Sequence, residues 1–309
     1  MARVLLFFLF ATPLCFFSQI GPRVWQDHIS LNRCNSVSKL GSKIYASNGV
    51  GVVRFDEAEL SPEAVTKING LHDVGVKLVR GNTYNNKLLV IFDNCNIDVI
   101  DLNGNISNYP DFKLKIFAGK KIINEVTFFK QYAYLACGFG IVMFDTEKQE
   151  AKETFIIGPG GSNLEVYQVA LNDSLIFAAT PLGLFKSNYK TKDLNNFNNW
   201  LPVAALPAGA YSGVVQADGK VLAAYSPNKA NPNVQMQDTL YILNNNTWSR
   251  YQALSQGYTV YKMGMTNGPL FSMLNDFGLL VVNVNTGAPS NFITSYNGNT
   301  DFKIVDAYF

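Results

Sequence analysis

Six times along the chain a β-rich stretch runs into a two-residue polar turn and out into a second β-rich stretch. The turns are Gly41-Ser42, Asn85-Asn86, Lys130-Gln131, Asn172-Asp173, Asp218-Gly219 and Asn267-Gly268, and successive turns lie 42 to 49 residues apart. Gly, Asn and Asp dominate because tight hairpin turns need positive φ, which these residues tolerate. Lys130-Gln131 departs from that chemistry, so its residues do not specify a turn type.

Each turn is followed by a strand: Ile44-Tyr45-Ala46, Leu88-Leu89-Val90, Ala133-Tyr134-Leu135, Leu175-Ile176-Phe177, Val221-Leu222-Ala223 and Leu270-Phe271-Ser272. A third segment comes next, usually opened by Gly and closed by Asp or Asn. These segments are Gly51–Asp56, Asn96–Asp101, Gly140–Asp145, Gly183–Asn188, Thr239–Asn244 and Gly278–Asn283. A fourth, less regular stretch, such as Thr154-Phe155-Ile156-Ile157, leads to the next copy. Helical periodicity is absent. Four short strands per period of about 45 residues describe propeller blades. Sandwich strands do not recur in fours with one fixed turn inside each group. The expected fold is therefore an all-β propeller of four-stranded blades, six complete, with the start of a seventh at Asp301–Asp306. A blade left open there would expose unpaired backbone. Val24–Ile29 could supply a strand to close the ring, and the sequence reads as part of a longer protein.

Arg3 followed by the apolar run from Val4 to Phe17, with Ser18 and Gln19 as a polar exit, has the form of a secretory signal peptide. This divides the chain into a signal peptide at 1–19 and a propeller domain at 20–309. No later segment reaches spanning length, so no transmembrane span is expected in the mature chain. Charged residues make up 16% and the net charge is +2. With no Lys/Arg stripe to displace counterions, nucleic acid is not an expected partner. Cys34, Cys95 and Cys137 occupy unrelated places in the repeat and read as small buried residues. None forms a Cys-x-x-Cys pair of the kind that structural zinc uses.

Little in the sequence points to catalysis. His28 and His72 fall on different blades, without the neighbours a triad or metal site needs, and His72 reads as a solvated loop residue. Gly158–Asn163 resembles a phosphate cradle but lacks the Lys and Ser/Thr that should follow, so it reads as a connection between blades. Asp56, Asp101 and Asp145 recur at third-strand ends, as turn formers do. No catalytic residue, cofactor or metal is expected. The fifth copy carries an insertion, Ser226–Gln237, which is either a neutral excursion or decoration of a binding face. The starts of first strands sit at the mouth of a propeller's channel. There Asp73, Asn124, Glu165, Tyr211, Thr259 and Asp301 are candidate ligand-binding residues.

Asn69–Asp73, before a first strand, resembles the linker of two-component-regulator propellers, with His72 where Ser is usual. A closer resemblance is to the PorZ family of the Bacteroidetes type IX secretion system. It rests on Trp25–Ser30, Tyr132–Val142 and Ile157–Tyr167 and spans residues 20 to 300. That resemblance implies the first of two consecutive propellers followed by a sorting domain. It implies a non-enzymatic component of the attachment complex, exported and associated with the outer membrane at the surface or in the periplasm. Its implied partners are the sortase with its associated outer-membrane subunits and anionic lipopolysaccharide. The alternative is the periplasmic sensing propeller of a hybrid two-component regulator. A propeller lyase or hydrolase is a third class, disfavoured by the scarcity of His.

Overall fold

The computed structural model describes residues 34–59, 61–116, 118–230, 237–251, 259–265, 268–275, 278–293 and 306. Blade 1 comprises β1 (Ser36–Leu40), β2 (Lys43–Ser47), β3 (Val52–Asp56) and β4 (Pro62–Val65). Blade 2 comprises β5 (Val76–Asn82), β6 (Lys87–Phe92), β7 (Ile97–Asp101) and β8 (Ile106–Tyr109), followed by the short helix α1 (Asp111–Leu114). Blade 3 holds β9 (Ile123–Phe129), β10 (Tyr132–Cys137), β11 (Gly140–Asp145) and β12 (Glu150–Phe155). Blade 4 holds β13 (Gln168–Asn172), β14 (Leu175–Ala179), β15 (Leu184–Asn188) and β16 (Leu201–Pro202). Blade 5 holds β17 (Tyr211–Ala217), β18 (Lys220–Tyr225), helix α2 (Pro227–Ala230), β19 (Thr239–Asn244) and β20 (Thr247–Arg250). Blade 6 holds β21 (Lys262–Met265), β22 (Leu270–Asn275), β23 (Gly278–Asn283) and β24 (Pro289–Ile293). Each blade is a four-stranded antiparallel meander in chain order, and the six form a ring, a six-bladed β-propeller.

The middle strands explain why the blades must stack. A sheet with one solvated face alternates apolar and polar residues, but these strands are apolar on both faces. In β6, Leu88, Val90 and Phe92 pack toward blade 1, while Leu89 and Ile91 pack toward blade 3. In β10, Ala133, Leu135 and Cys137 face blade 2, and Tyr134 and Ala136 face blade 4. β14 and β18 split in the same way. The outermost strands are polar: β12 reads Glu-Ala-Lys-Glu-Thr-Phe and is largely exposed. Five apolar clusters thus fill the junctions from blade 1 through blade 6. Across the sixth junction, between blades 6 and 1, the described residues place Asp306, which accepts from the Val37 amide of β1 at 3.0 Å and pairs with Lys262 of β21 at 2.9 Å.

Turn chemistry follows the sequence with local departures. Asp218 and Gly219 carry φ of 47° and 74° in a two-residue turn, and Gly41 opens another at 60°. Lys130 does close a two-residue turn, with φ 54°. The Asn172-Asp173 turn lies one residue later, because Asn172 still pairs with Leu175 and Asp173 takes φ 44°. Around Asn85-Asn86 the loop has four residues, since Asn82 pairs with Lys87. Gly81 answers a close approach: a Cβ there would lie 2.4 Å from the Lys39 carbonyl oxygen of blade 1.

Third strands fall where the sequence places them, with starts shifted by one residue in blades 1, 2 and 4. The fourth strand of blade 3 ends at Phe155, so Ile156 and Ile157 lie beyond it. Gly158–Asn163 lies between blades 3 and 4, as a connection should. The Asp56, Asp101 and Asp145 carboxylates accept from turn amides at 2.9 Å. Cys95 and Cys137 are buried free thiols, whereas Cys34 is exposed. The expected signal peptide at 1–19, Val24–Ile29 and most of the expected seventh strand lie outside the described residues.

Candidate functional site

Connections from one blade to the next and the second-to-third-strand loops share one face of the ring, because every blade meanders in the same order. The first strands run from this link face along the axis. They enclose a cavity of about 250 Å³, lined by β5, β9, β13, β17 and β21 and by Asp306.

A closed ring of four charges sits in this channel. The Arg80 guanidinium on β5 donates through Nε and Nη2 to the two Glu125 oxygens on β9, at 2.7 and 2.8 Å. Its Nη1 reaches Asp306 Oδ2 at 2.9 Å and Ser36 Oγ at 2.8 Å. Lys262 lies 3.2 Å from Glu125 and 2.9 Å from Asp306, closing the square. The Ser36 hydroxyl donates to Asp306 Oδ2 at 2.8 Å, which binds blade 1 to the same carboxylate. Two cations face two anions, so the charge of the ring balances, with Lys262 its most exposed member at 29%. Side-chain exposure is 10% for Arg80, 8% for Glu125 and 2% for Asp306, which makes the pairing obligatory.

Burial alone would raise the Glu125 carboxyl, but Arg80 and Lys262 outweigh it and bring it down to about 2. Asp306 is also held below the usual range: burial opposes ionisation, and Arg80 and Lys262 overcome it. Glu125 thus stays ionised at neutral pH and has no proton to give as a general acid. Gln168 of blade 4, which lines the same channel, bonds to both blade 5 and blade 6. Its Nε2 donates to the Met263 carbonyl of blade 6 at 3.0 Å, and its Oε1 accepts from the Val214 amide of blade 5 at 3.1 Å.

Of the sequence-predicted residues, Asn124 and Glu165 meet at the start of β9 on the link face. Asn124 donates to the Val166 carbonyl at 2.8 Å and to Glu165 Oε1 at 3.2 Å, and Lys120 lies 3.0 Å from the same oxygen. These three groups do come together. Nearby, Lys229 of the blade 5 insertion lies over the Tyr167 ring at 4.1 Å, so the start of that insertion packs onto blade 4. Asp73 is elsewhere, buried and bonded to Lys113 at 2.6 Å and Asn94 at 2.7 Å. Burial acts to raise its carboxyl, and those two partners bring it down to about 2. Tyr211 is fully buried, its hydroxyl donating to the Pro207 carbonyl at 3.0 Å, which makes it a core residue. Thr259 is half-buried beside Val260, and Asp301 lies outside the described residues. His72 is not simply solvated: its amide and Nδ1 hold the buried Asp98 carboxylate at 2.9 and 3.0 Å.

Arg80, Glu125, Lys262 and Asp306 escaped the sequence reading. For Arg80 and Glu125 the available signal is a charge in the interior of a first strand, as in Val-Lys-Leu-Val-Arg-Gly-Asn and Ile-Asn-Glu-Val-Thr-Phe-Phe.

Comparison with solved structures finds PorZ of Porphyromonas gingivalis, described as an essential bacterial surface component of the type IX secretion system. It is 17% identical, with a TM-score of 0.75 over 91% of this chain and 34% of that one. The extracellular domain of a protein assigned to the hybrid two-component systems of B. thetaiotaomicron is 12% identical, with a TM-score of 0.60 over 89% of this chain and 37% of that one. The chain therefore spans about a third of the length of the solved proteins it matches. No curated protein matches it. The family description "TSS9, PorZ, N-terminal beta-propeller domain" matches residues 43–201, just over half of the sequence. On that match the chain belongs to the family of PorZ N-terminal β-propeller domains.

Proposed function

We propose that this chain is a non-enzymatic binding component of a type IX secretion attachment complex, exported and working at the outer membrane or cell surface. In this reading residues 1–19 are a signal peptide and 20–309 form the first of two propellers. The propeller binds anionic lipopolysaccharide, the sortase, or both while cargo is anchored. Family membership carries the reading. The channel adds a physical reason to look for binding on the link face, because the charges on the axis are already spent on one another. Asn124, Glu165 and Lys120, bonded to one another at the rim, are the polar cluster a ligand on that face would meet.

Affinity capture with the tagged chain from a Bacteroidetes cell envelope tests this. The sortase and its associated outer-membrane subunits should be recovered, and their consistent absence would remove the assignment. A second reading, the sensing propeller of a hybrid two-component regulator, draws on the likeness to the B. thetaiotaomicron extracellular domain. A membrane span and kinase encoded downstream would favour it, whereas a second propeller and a sorting domain would favour secretion.

A further inference from the structure

The connection from blade 2 to blade 3 has a composition unlike the rest of the chain. Residues 111–121 contain Lys113, Lys115, Lys120 and Lys121 against the single acid Asp111, a formal +3 where the whole chain carries +2. Between the lysines stand Leu114 and Ile116, at 71% and 95% exposure the most exposed large apolar side chains among the described residues. Scattered exposed apolar residues need no explanation, but two at the tip of one cationic loop do.

The loop is built so that these tips project. Phe112 is buried, with its ring edge-on to Tyr109 at 6.1 Å, and anchors the start. Lys113 is tied to Asp73, and Lys121 Nζ donates to the carbonyls of Lys113 and Lys115 at 2.5 and 3.2 Å. At the far end Asn163 donates to the Ala118 carbonyl at 2.6 Å. The inward-facing groups are therefore satisfied within the protein, while the apolar tips are left in water. Val74, 54% exposed, extends the apolar surface beside Asp73 on the same face. Asp73 and Glu165 each engage one of the lysines, Lys113 and Lys120, but neither covers Leu114 or Ile116.

An apolar tip in a connection with a formal +3 complements a lipid headgroup layer: hydrocarbon accepts the tip, and anionic headgroups meet the positive charge, Lys113 and Lys120 remaining 41% and 61% exposed beside Asp73 and Glu165. We infer that this connection is a membrane-docking element whose partner is a bilayer surface bearing anionic headgroups, and that it seats the link face of the propeller against that surface. This goes beyond the secretion assignment and does not depend on it.

The test uses the full exported chain with vesicles of phosphatidylcholine alone and of phosphatidylcholine mixed with phosphatidylglycerol. Cosedimentation should be strong only with the mixed vesicles and should weaken at high salt. Amide hydrogen exchange should slow in the peptide covering 111–121. Combined Leu114→Asn and Ile116→Asn substitution should lower partitioning about 100-fold, roughly tenfold per lost apolar side chain. It should leave the melting temperature unchanged, because neither residue is in the core. Lys115→Gln should cost about fivefold with the anionic vesicles. The inference is overturned if the double asparagine variant binds as well as the parent. It is equally overturned if the chain binds a soluble anionic polysaccharide or a protein through this loop but no vesicle.

Discussion

Replacing Glu125 by glutamine keeps the shape of the axial charge ring and removes one of its two anions. Arg80 and Lys262 would then share the single carboxylate of Asp306, leaving the channel one positive charge in excess. Two routes give the size of the loss. The carboxyl is brought from an ordinary 4.5 to about 2, which at about 1.4 kcal/mol per unit corresponds to roughly 3 kcal/mol. Breaking a buried ion pair by removing one partner typically costs about 3–5 kcal/mol. For a domain of this size about 3 kcal/mol lowers the melting temperature by roughly 6–12 °C. The pH dependence has a definite sign. A carboxyl whose folded value is depressed stabilises above its unfolded value, and that contribution disappears as pH falls toward the folded one. The parent should therefore lose stability between about pH 4.5 and 2, and Glu125→Gln should flatten that slope. Differential scanning calorimetry of both proteins at neutral pH and near pH 2.5 measures this, and a second substitution, Lys262→Met, should restore part of the loss by rebalancing the charge. A Glu125→Gln protein within about 0.5 kcal/mol of the parent, or one equally destabilised at both pH values, would mean that the ionised Glu125 does not stabilise the ring.

Gly81→Ala should fail to fold or lose more than about 3 kcal/mol, because its Cβ would meet a backbone carbonyl of the neighbouring blade at 2.4 Å; expression yield and melting temperature report it. In native protein a thiol reagent should modify Cys34 first, although burial and Asp306 raise that thiol and slow the reaction. Cys95 and Cys137, both buried with thiols pushed up by burial, should react only on unfolding, which mass spectrometry of labelled peptides distinguishes. Asn124→Ala should change stability by less than about 1 kcal/mol while weakening any ligand held at the rim, read as a loss of affinity without a shift in melting.

The blade repeat was legible because two local rules combine: positive-φ residues mark the hairpins, and strands buried on both faces are continuously apolar. Leu88–Phe92 could hardly be placed other than in the middle of a sandwiched sheet. The outer strands were less legible, since Glu150–Phe155 is mostly polar and carries no burial signal. The site was read only in part. Of the residues expected at the starts of first strands, Asn124 and Glu165 come together, but Tyr211 turns inward to fill a core. The charge ring was out of reach because Arg80 finds one partner 45 residues away and another 226 residues away. Sequence spacing shows a charge inside an apolar strand; only the closed ring shows what neutralises it.

Among the described residues, Asp306 joins blade 6 to blade 1, whereas apolar clusters fill the other five junctions. Native-state hydrogen exchange of Asp306→Ala tests it directly. Exchange should quicken only at Ser36–Leu40 and Lys262–Met265, with blades 3 and 4 still protected by their packed interface. Unchanged protection at those two strands, or an equal loss throughout the ring, would contradict it.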